Sequence, residues 1–465
     1  MKRITALLTL ILTMTLVSCK SDKHAGENPF FAEWNTPYGV PPFDRIAPEH
    51  FLPALERGMS LHEAEIDAIT SNNDVPTFEN VILAYDRSGR MLAQTELIFG
   101  MLCAAENTPE MQALQERVMP LLAAHADKIL LNEKLFERVK AVYDRRGALE
   151  LDAEQSRLLE KTYRDFVRAG ALLDAEQKAR LKAINGELSL AAVKFGQNIL
   201  AENGNYALVL ESADLDGIPS NVRDQAREKA EATGKKGKYV FTLHKPSLIP
   251  FLTYSQKREL REEIYKAYLN RCNNGDEYDN KQLINDFIRL RTEKAHLLGY
   301  PSYADYVVAD EMAGTTDAVY KLLNEIWTPA LERAKGELAE MEELFKKDYP
   351  DGEFASWDWW YYAEKVRKQK YQLEEELLRP YFSLENVQSG IFFLANRLYG
   401  ITFRPIVVPL YHPDAIAYEV LDADESHLGV LYFDYFPRDG KSQGAWCGNY
   451  VEQTYEDGKR VAPVV

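Results

Sequence analysis

Two copies of the pentapeptide Leu-Asp-Ala-Glu-Gln, at positions 151–155 and 173–177, constrain the fold more than any other feature. Each copy places an aspartate at a helix N-cap and a glutamine three residues later, which is the spacing of a capping box. Apolar residues then recur in steps of three and four, as in an amphipathic helix. We expect one continuous helix over Leu173–Asn203, paired antiparallel with a helix over Asp152–Gly170. The two predicted stripes contain Leu159, Tyr163, Phe166 and Gly170, then Leu181, Ile184, Leu188, Ala192, Phe195 and Ile199.

The helical pattern covers most of the chain, over residues 48–203 and again over 255–395. Within the second run, Pro329 is expected to break or kink a helix over Thr316–Phe345. Segments rich in β-branched and aromatic residues predict strands, mostly after Gly400. These segments are Tyr206–Glu211, Lys238–His244, Phe403–Tyr411, Ile416–Leu421, Leu428–Phe436, Gly444–Val451 and a short buried one at Val461–Val465. The sequence thus predicts a mainly α fold with a small β-sheet near the carboxyl end.

The first residues predict an export signal. Met-Lys-Arg is followed by a 14-residue apolar run from Ile4 to Val17, too short for a bilayer, which takes about 20 residues. The run ends in Leu-Val-Ser-Cys19, which resembles a bacterial lipobox; the alternative is a chance cysteine after a signal peptide. We expect a signal peptide over 1–18, lipidation at Cys19 and a polar tether over 19–36. The protein would then be an exported lipoprotein, anchored to a membrane through this lipid alone and facing the periplasm or the cell surface.

Composition excludes several partners and scaffolds. Lys plus Arg number 55 against 72 Asp plus Glu, and the formal charge of −17 repels nucleic acid and anionic lipid headgroups. The four cysteines contain no Cys-x-x-Cys pair, so they form neither a disulfide framework nor a thiolate metal site.

Motifs for common hydrolytic chemistry are incomplete. A zincin helix needs two histidines four residues apart, and no two of the eight histidines have that spacing. His412, Asp414, Glu425 and His427 flank one predicted hairpin and are more consistent with an exposed acidic loop than with metal ligands. Gly440-Lys-Ser-Gln-Gly444 matches a nucleophile elbow, but no histidine follows position 427 to complete a triad. The residues alone therefore indicate no catalytic and no metal-binding residue.

An aromatic cluster occupies residues 357–362, with Trp357, Trp359 and Trp360 followed by two tyrosines. It predicts the start of a helix packed into the core, because aromatic residues dominate core burial. The alternative is a stacking platform that lines a substrate channel.

Longer motifs resemble a known family. Residues 431–453, with Gly-Ala-Trp-Cys-Gly-Asn at 444–449, resemble the segment just before the zinc helix of the M3 (thimet oligopeptidase-like) peptidases, and specifically their peptidyl-dipeptidase Dcp branch. Residues 285–305 resemble a second signature of that family, and the opening Asn35-Thr-Pro-Tyr-Gly-Val-Pro-Pro-Phe-Asp-Arg-Ile46 also fits.

The resemblance implies an elongated, helical, zincin-like fold of the neurolysin and Dcp type, with a deep channel. It implies a zinc-dependent enzyme that hydrolyses short peptides. The zinc motif of the family has no counterpart before Val465, so we expect an N-terminal helical domain over 37–250 and a truncated catalytic domain over 251–465. This chain alone is expected to bind no zinc, to be inactive and to be monomeric. The resemblance places substrate along an edge strand at Gly444, Ala445 and Trp446.

Two alternatives remain beside an M3 peptidase. One is a catalytically inactive relic of such an enzyme. The other is a helical surface lipoprotein that binds glycans, although its helical repeats would need a period of about 34 residues, which this sequence lacks.

Overall fold

The computed structural model describes residues 28–372, 375–456 and 458–465. Most of them are helical, and their strands form small antiparallel sheets, which confirms the predicted mainly α fold. The helices are α1 (Pro48–Ser71), α2 (Ala84–Asp86, directly after a π-helical turn at Phe78–Leu83), α3 (Arg90–Ala105), α4 (Pro109–Leu130), α5 (Glu133–Asp144), α6 (Ala153–Arg168), α7 (Ala175–Asn205), α8 (Ser220–Ala232), α9 (Lys245–Tyr254), α10 (Arg258–Leu269), α11 (Lys281–Leu297), α12 (Tyr303–Val308), α13 (Thr316–Asp348), α14 (Trp359–Tyr371), α15 (Glu375–Leu378) and α16 (Leu384–Tyr399). The strands are β1 (Leu208–Leu210), β2 (Tyr239–Phe241), β3 (Thr402–Pro405), β4 (Ile416–Leu421), β5 (His427–Phe433), β6 (Thr454–Glu456) and β7 (Lys459–Val461).

The predicted signal peptide and the lipidation site Cys19 lie outside the described residues. The described part of the predicted tether is packed rather than free, because Phe30 is only 8% exposed and joins a hydrophobic cluster with Phe51. The predicted bounds of the tether, 19–36, stay a prediction. Among the helices that the structure describes, none has the length and apolar character needed to cross a membrane.

Helices α6 and α7 begin as predicted. The carboxylate of Asp152 accepts a hydrogen bond of 2.8 Å from the Gln155 backbone N–H, and the Gln155 side chain accepts one of 3.1 Å in return. Asp174 and Gln177 form the same reciprocal pair at 2.8 and 3.2 Å. Both capping boxes satisfy backbone donors that the first turn leaves free.

The predicted pairing of these two helices is wrong. Helix α7 packs mainly against α4 and α11, whereas α6 packs against α5. Ile184 is fully buried on α7, but Ala192, in the same predicted stripe, is exposed. An amphipathic stripe identifies the face that is buried and carries no information on which element covers it.

Helix α13 continues through Pro329, so this proline does not break the helix, and the alternative that it kinks the helix stays a prediction. Proline leaves the carbonyl four residues earlier, that of Glu325, without its helical donor. Residues 321–330 are all exposed, so water can bond that carbonyl and the helix continues.

The larger sheet has the order β3-β4-β5, with β4 and β5 forming a hairpin. The predicted strand at Val461–Val465 is confirmed at Val464, which is 1% exposed and bridges Val430 of β5 and Val451. The predicted strand Gly444–Val451 is wrong, because residues 444–449 of the described chain are irregular. The sheet therefore ends beside an extended loop.

The main hydrophobic cluster joins the amino-terminal helices to this sheet. Phe51 of α1, Phe99 of α3 and Leu122 of α4 belong to one cluster with Val430 and Tyr432 of β5. A further cluster spans positions 208–264, on both sides of the proposed boundary at residue 250. The division into domains stays a prediction, but the contacts place α3 directly behind the loop that follows β5.

Candidate functional site

A cleft of about 580 Å³ lies where the loop after β5 meets the end of α3 and the start of α9. The three residues predicted to contact substrate, Gly444, Ala445 and Trp446, all line it. Another part of its wall comes from His244 and Lys245. The structure therefore brings the predicted site residues together at a cavity of the size that small ligands occupy.

Residues 444–447 are exposed and line this cleft. Within the part of the chain that the structure describes, residues 443–449 form no backbone–backbone hydrogen bond. Gly444 has φ +96°, a conformation that favours glycine, and a Cβ added there would meet no atom within 4 Å. The segment thus presents unpaired N–H and C=O groups beside open space, although it is not the regular strand expected from the sequence.

Contacts with α3 and with Asn107, two residues beyond its end, hold the loop in place. The Ser442 backbone N–H donates to the Ala104 carbonyl at 2.8 Å, and the Asn107 N–H donates to the Gly440 carbonyl at 2.9 Å. At Gly448 an added Cβ would come within 2.3 Å of the Met101 sulfur, so only glycine fits without displacing that side chain. The loop is fixed on both sides of 444–447, which keeps these main-chain groups in one position.

Asp434 forms the electrostatic centre of the cleft wall. Its carboxylate accepts two hydrogen bonds of 2.8 Å from the Arg438 guanidinium. It also forms an ion pair with the Lys441 ammonium group at 2.8 Å. Burial alone would raise the pKa of Asp434, but the hydrogen bonds from Arg438 and Lys441 outweigh it and lower this pKa to about 2. Arg438 also donates to the Ala105 carbonyl at 2.9 Å and pairs with Glu106, so the network joins the loop to the end of α3.

Three tyrosines, Tyr411, Tyr432 and Tyr450, form the aromatic base of the cleft. Burial is the main cause that raises the pKa of each hydroxyl well above its ordinary value. The Tyr411 hydroxyl donates to Asp434 at 3.0 Å, and the Tyr432 hydroxyl donates to the Pro409 carbonyl at 2.9 Å. These hydroxyls therefore remain neutral hydrogen-bond donors at physiological pH.

His244 and Lys245 supply a polar part of the wall at the start of α9. Burial lowers the pKa of His244 below its ordinary value, so the imidazole is neutral near pH 7. Its Nδ1 lies 3.3 Å from the Thr242 hydroxyl. Lys245 is exposed, and among the described residues no carboxylate forms an ion pair with it. A positive charge is therefore available at the cleft for an anionic group.

A zinc ion does not fit the donor groups at hand. Among the described residues, no cluster of three or more His, Cys, Asp or Glu side chains could hold a metal ion. His412 lies 3.8 Å from Glu106 and 3.6 Å from Asp414, whereas His427 Nδ1 lies 3.1 Å from Glu419, so these two histidines contact different carboxylates. The candidate set of His412, Asp414, Glu425 and His427 is not one site.

The aromatic cluster at 357–362 lies elsewhere. It begins helix α14 as predicted, and Tyr362 is fully buried with its ring centroid 5.5 Å from that of Phe345. Trp359 and Trp360 are 38% and 41% exposed, so the core interpretation holds for only part of the cluster. Within the described chain, none of its residues lines the cleft.

Sequence reasoning missed the Asp434–Arg438–Lys441 network and the contribution of His244. The signal for the network was present, since an aspartate, an arginine four residues later and a lysine three residues after that lie in the motif at 431–453. His244 carried no comparable signal, because only the tertiary fold brings residue 244 to the loop after β5.

Comparison with known proteins identifies the family. Residues 251–465 match the model of peptidase family M3. The chain is 39% identical over 430 residues to dipeptidyl carboxypeptidase of Escherichia coli (strain K12). This alignment covers 92% of this chain and 63% of that protein. It is 30% identical to oligopeptidase A of the same organism, over 92% of this chain and 64% of that protein. It is also 30% identical to organellar oligopeptidase A of Arabidopsis thaliana, over 94% of this chain and 56% of that protein.

The chain thus spans about 63% of the length of the dipeptidyl carboxypeptidase that it matches. Its identity to that enzyme exceeds its identity to the oligopeptidases A, in agreement with the motif at 444–449. By sequence, residues 251–465 belong to peptidase family M3, and over 92% of its length the chain is more similar to the dipeptidyl carboxypeptidase than to the oligopeptidases A.

Proposed function

We propose that this chain supplies the peptide-binding part of a zinc-dependent M3 peptidase of the peptidyl-dipeptidase type. The observation that carries the proposal is the loop at 444–447, whose unpaired main-chain groups line the cleft in a region that matches the family. An extended peptide can pair with such groups through its own backbone. Backbone pairing is largely independent of sequence, which suits an enzyme that hydrolyses many short peptides.

Lys245 supports the choice of the peptidyl-dipeptidase type. The relative with 39% identity is named a dipeptidyl carboxypeptidase, an activity that requires recognition of the carboxyl end of a peptide. The other lysine of the cleft, Lys441, is held by Asp434 at 2.8 Å. Lys245 is therefore the cation of the described cleft that is available to bind a terminal carboxylate.

Zinc belongs to the complete family enzyme in this proposal, and the residues at the cleft have roles that do not depend on it. They bind the peptide backbone and orient it, and the Tyr411 hydroxyl donates to Asp434 and helps to hold that carboxylate in the cleft wall. The described side chains do not form a zinc site, so no residue of this chain is assigned to hydrolysis.

Export with a lipid anchor at Cys19 completes the proposal. It rests on the apolar run at 4–17 and the Leu-Val-Ser-Cys19 sequence, both outside the described residues. Short peptides in the periplasm or at the cell surface would then be the substrates.

Peptide binding can be measured directly on the 465-residue chain. A fluorescein-labelled tetrapeptide with a free carboxyl end is titrated with protein, and anisotropy gives the dissociation constant. Gly444→Val should weaken binding roughly tenfold or more, since the valine side chain intrudes where the peptide backbone lies. Gly234→Val is the matched control, because Gly234 also has positive φ and free space around its Cβ position but lies outside the cleft. Equal weakening in both variants, or in neither, would contradict the proposed position of the peptide.

A second experiment tests Lys245. Lys245→Ala should weaken binding of the free-carboxylate peptide and leave binding of its amidated form unchanged. Equal effects on both peptides would remove the carboxylate role.

Cys447 provides an independent probe because it is exposed at the cleft, whereas Cys103 and Cys272 are buried. A bulky maleimide on Cys447 should block peptide binding, and bound peptide should slow the labelling.

A further inference from the structure

A second, smaller cavity lies beside the cleft. It measures about 190 Å³, against about 580 Å³ for the cleft, and its walls come from α8, β2, the start of α9 and residues 437–439 of the loop after β5. His244, Pro246 and Pro437 line both cavities, which places the two side by side. The smaller volume suits a ligand smaller than a peptide.

The floor of this cavity is apolar and belongs to the core. Val222 and Ala226 of α8 and Phe241 of β2 line it, are at most 7% exposed and belong to one hydrophobic cluster. The Thr242 backbone N–H donates to the Ser247 Oγ at 3.0 Å, which ties the residue after β2 to α9. An apolar group that packs on this floor leaves water, which is favourable.

Two opposite charges at the cavity keep free hydrogen-bonding capacity. Lys229 Nζ lies 3.8 Å from the Asp439 carboxylate, beyond hydrogen-bond distance, and the two side chains are 41% and 78% exposed. Among the described residues, neither side chain forms another ion pair or a hydrogen bond. Arg438 also lines the cavity, but its guanidinium already donates to Asp434 and to the Ala105 carbonyl. Lys229 and Asp439 are therefore the charged groups of the described lining that remain available to a ligand.

The spacing of these two charges indicates the class of ligand. A ligand with a single charge would be attracted by one group and repelled by the other. An α-amino acid carries its ammonium and carboxylate groups on one carbon atom, so it can place its carboxylate on Lys229 and its ammonium on Asp439 at once. A dipeptide separates its end charges by a further residue, about 3.8 Å along the chain, and no longer matches the pair.

We infer that this cavity binds a free amino acid with an apolar side chain. The charged groups of the amino acid pair with Lys229 and Asp439, and its side chain packs on the floor formed by Val222, Ala226 and Phe241. The site is distinct from the cleft, and the inference does not depend on peptide binding there.

Saturation-transfer NMR on the 465-residue chain tests the inference, with leucine as the probe. Leucine should bind with a dissociation constant on the order of 1 mM, because so small a ligand makes few contacts. N-acetylleucine and leucinamide each lack one charge, glycine lacks the side chain, and leucylleucine spaces its charges further apart. Each of the four should bind roughly tenfold more weakly or less. Absence of leucine binding, or equal binding of all five compounds, overturns the inference.

Substitutions locate the bound amino acid. Lys229→Met and Asp439→Asn should each lower the affinity for leucine roughly tenfold or more, because each leaves one charge of the ligand unpaired. Lys236→Met and Asp351→Asn are matched controls, since both residues are exposed and lie outside the cavity. The side chains of Lys229 and Asp439 are themselves well exposed, so circular dichroism should show an unchanged fold.

Equal affinity for leucine in the site and control variants overturns the inference. Leucine binding that is lost in Lys245→Ala but kept in Lys229→Met also overturns it, because that result places the amino acid in the cleft. Failure of tetrapeptide binding with intact leucine binding would contradict the proposed function and leave this inference standing.

Discussion

His62 Nδ1 lies 2.9 Å from His125 Nε2, so two histidines join α1 to α4 through one shared hydrogen bond. One ring must donate and the other must accept, which requires at least one neutral imidazole. Glu63 and Glu65 on α1 and Lys128 on α4 lie around the pair, and His125 Nδ1 is 3.6 Å from Glu63. Gly89, which precedes α3, donates its N–H to Glu65 at 2.7 Å.

This pair predicts a loss of stability in mild acid. Burial lowers the pKa of both histidines, and for His62 the neighbouring His125 lowers it further. Below about pH 6.5 the unfolded chain binds protons that the folded chain does not, so the free energy of unfolding falls until the folded-state pKa values are passed. Urea unfolding between pH 7.5 and 5 should show this fall, less steeply in His62→Gln. The exposed His296→Gln variant should keep the original slope, and identical slopes in all three proteins would contradict the assignment.

Removal of the buried charge of Asp358 should lower the free energy of unfolding strongly. Its carboxylate is fully buried and accepts hydrogen bonds from Arg258 at 2.8 Å and from Arg261 at 2.9 Å. Asp358→Ala would leave Arg261, only 1% exposed, without its counter-ion, at a cost of about 3–5 kcal/mol. Denaturant unfolding measures the change, and the exposed Asp351→Ala serves as control. A loss near that of the control would mean that Arg261 finds another partner.

Ile184 tests the burial of helix α7. Its side chain is fully buried, so Ile184→Ala should lower the free energy of unfolding by about 2–5 kcal/mol. Leu188 is only half-buried, so Leu188→Ala should lower the free energy of unfolding by less than Ile184→Ala does. Leu190→Ala, at a position 49% exposed, should stay within about 0.5 kcal/mol of the unchanged protein. The ordering of the three variants in urea unfolding is the result to check.

Cys19 predicts lipidation. Cells grown with labelled palmitate should label the unchanged protein and not Cys19→Ala, because the thiol of this residue would carry the lipid. Cys447→Ala should retain the label, since that cysteine follows no apolar run. Equal labelling of the unchanged protein and Cys19→Ala would remove the lipid anchor from the proposal.

Zinc content gives a fifth prediction. The purified 465-residue chain should hold well below one equivalent of zinc after dialysis, because three protein ligands are needed and the described side chains form no such group. Mass spectrometry with plasma ionisation measures the metal. One retained equivalent would contradict this expectation and require a search for the ligands by mutation of single histidines.

Local rules predicted the local features of this chain. The caps at Asp152 and Asp174 and strand β4 depend on neighbouring residues, and the structure confirms all three. The pairing of α6 with α7 failed because the partner of an apolar face is decided by distant elements. The strand at 444–451 failed because contacts of Ser442 and Gly448 with α3 hold the loop in an irregular path. The family motif includes Gly444, Ala445 and Trp446, which line the cleft, and their role in binding substrate stays a prediction.

The position of Val464 has a practical consequence for anyone who purifies this protein. Val464 bridges Val430 and Val451, and Val465 both lines the cleft and accepts a hydrogen bond of 2.8 Å from the Tyr432 N–H. A purification tag fused directly to Val465 would start inside the cleft and occupy the space where a peptide is measured. Such a tag would imitate an inhibitor, so binding experiments need the tag at another exposed position of the chain.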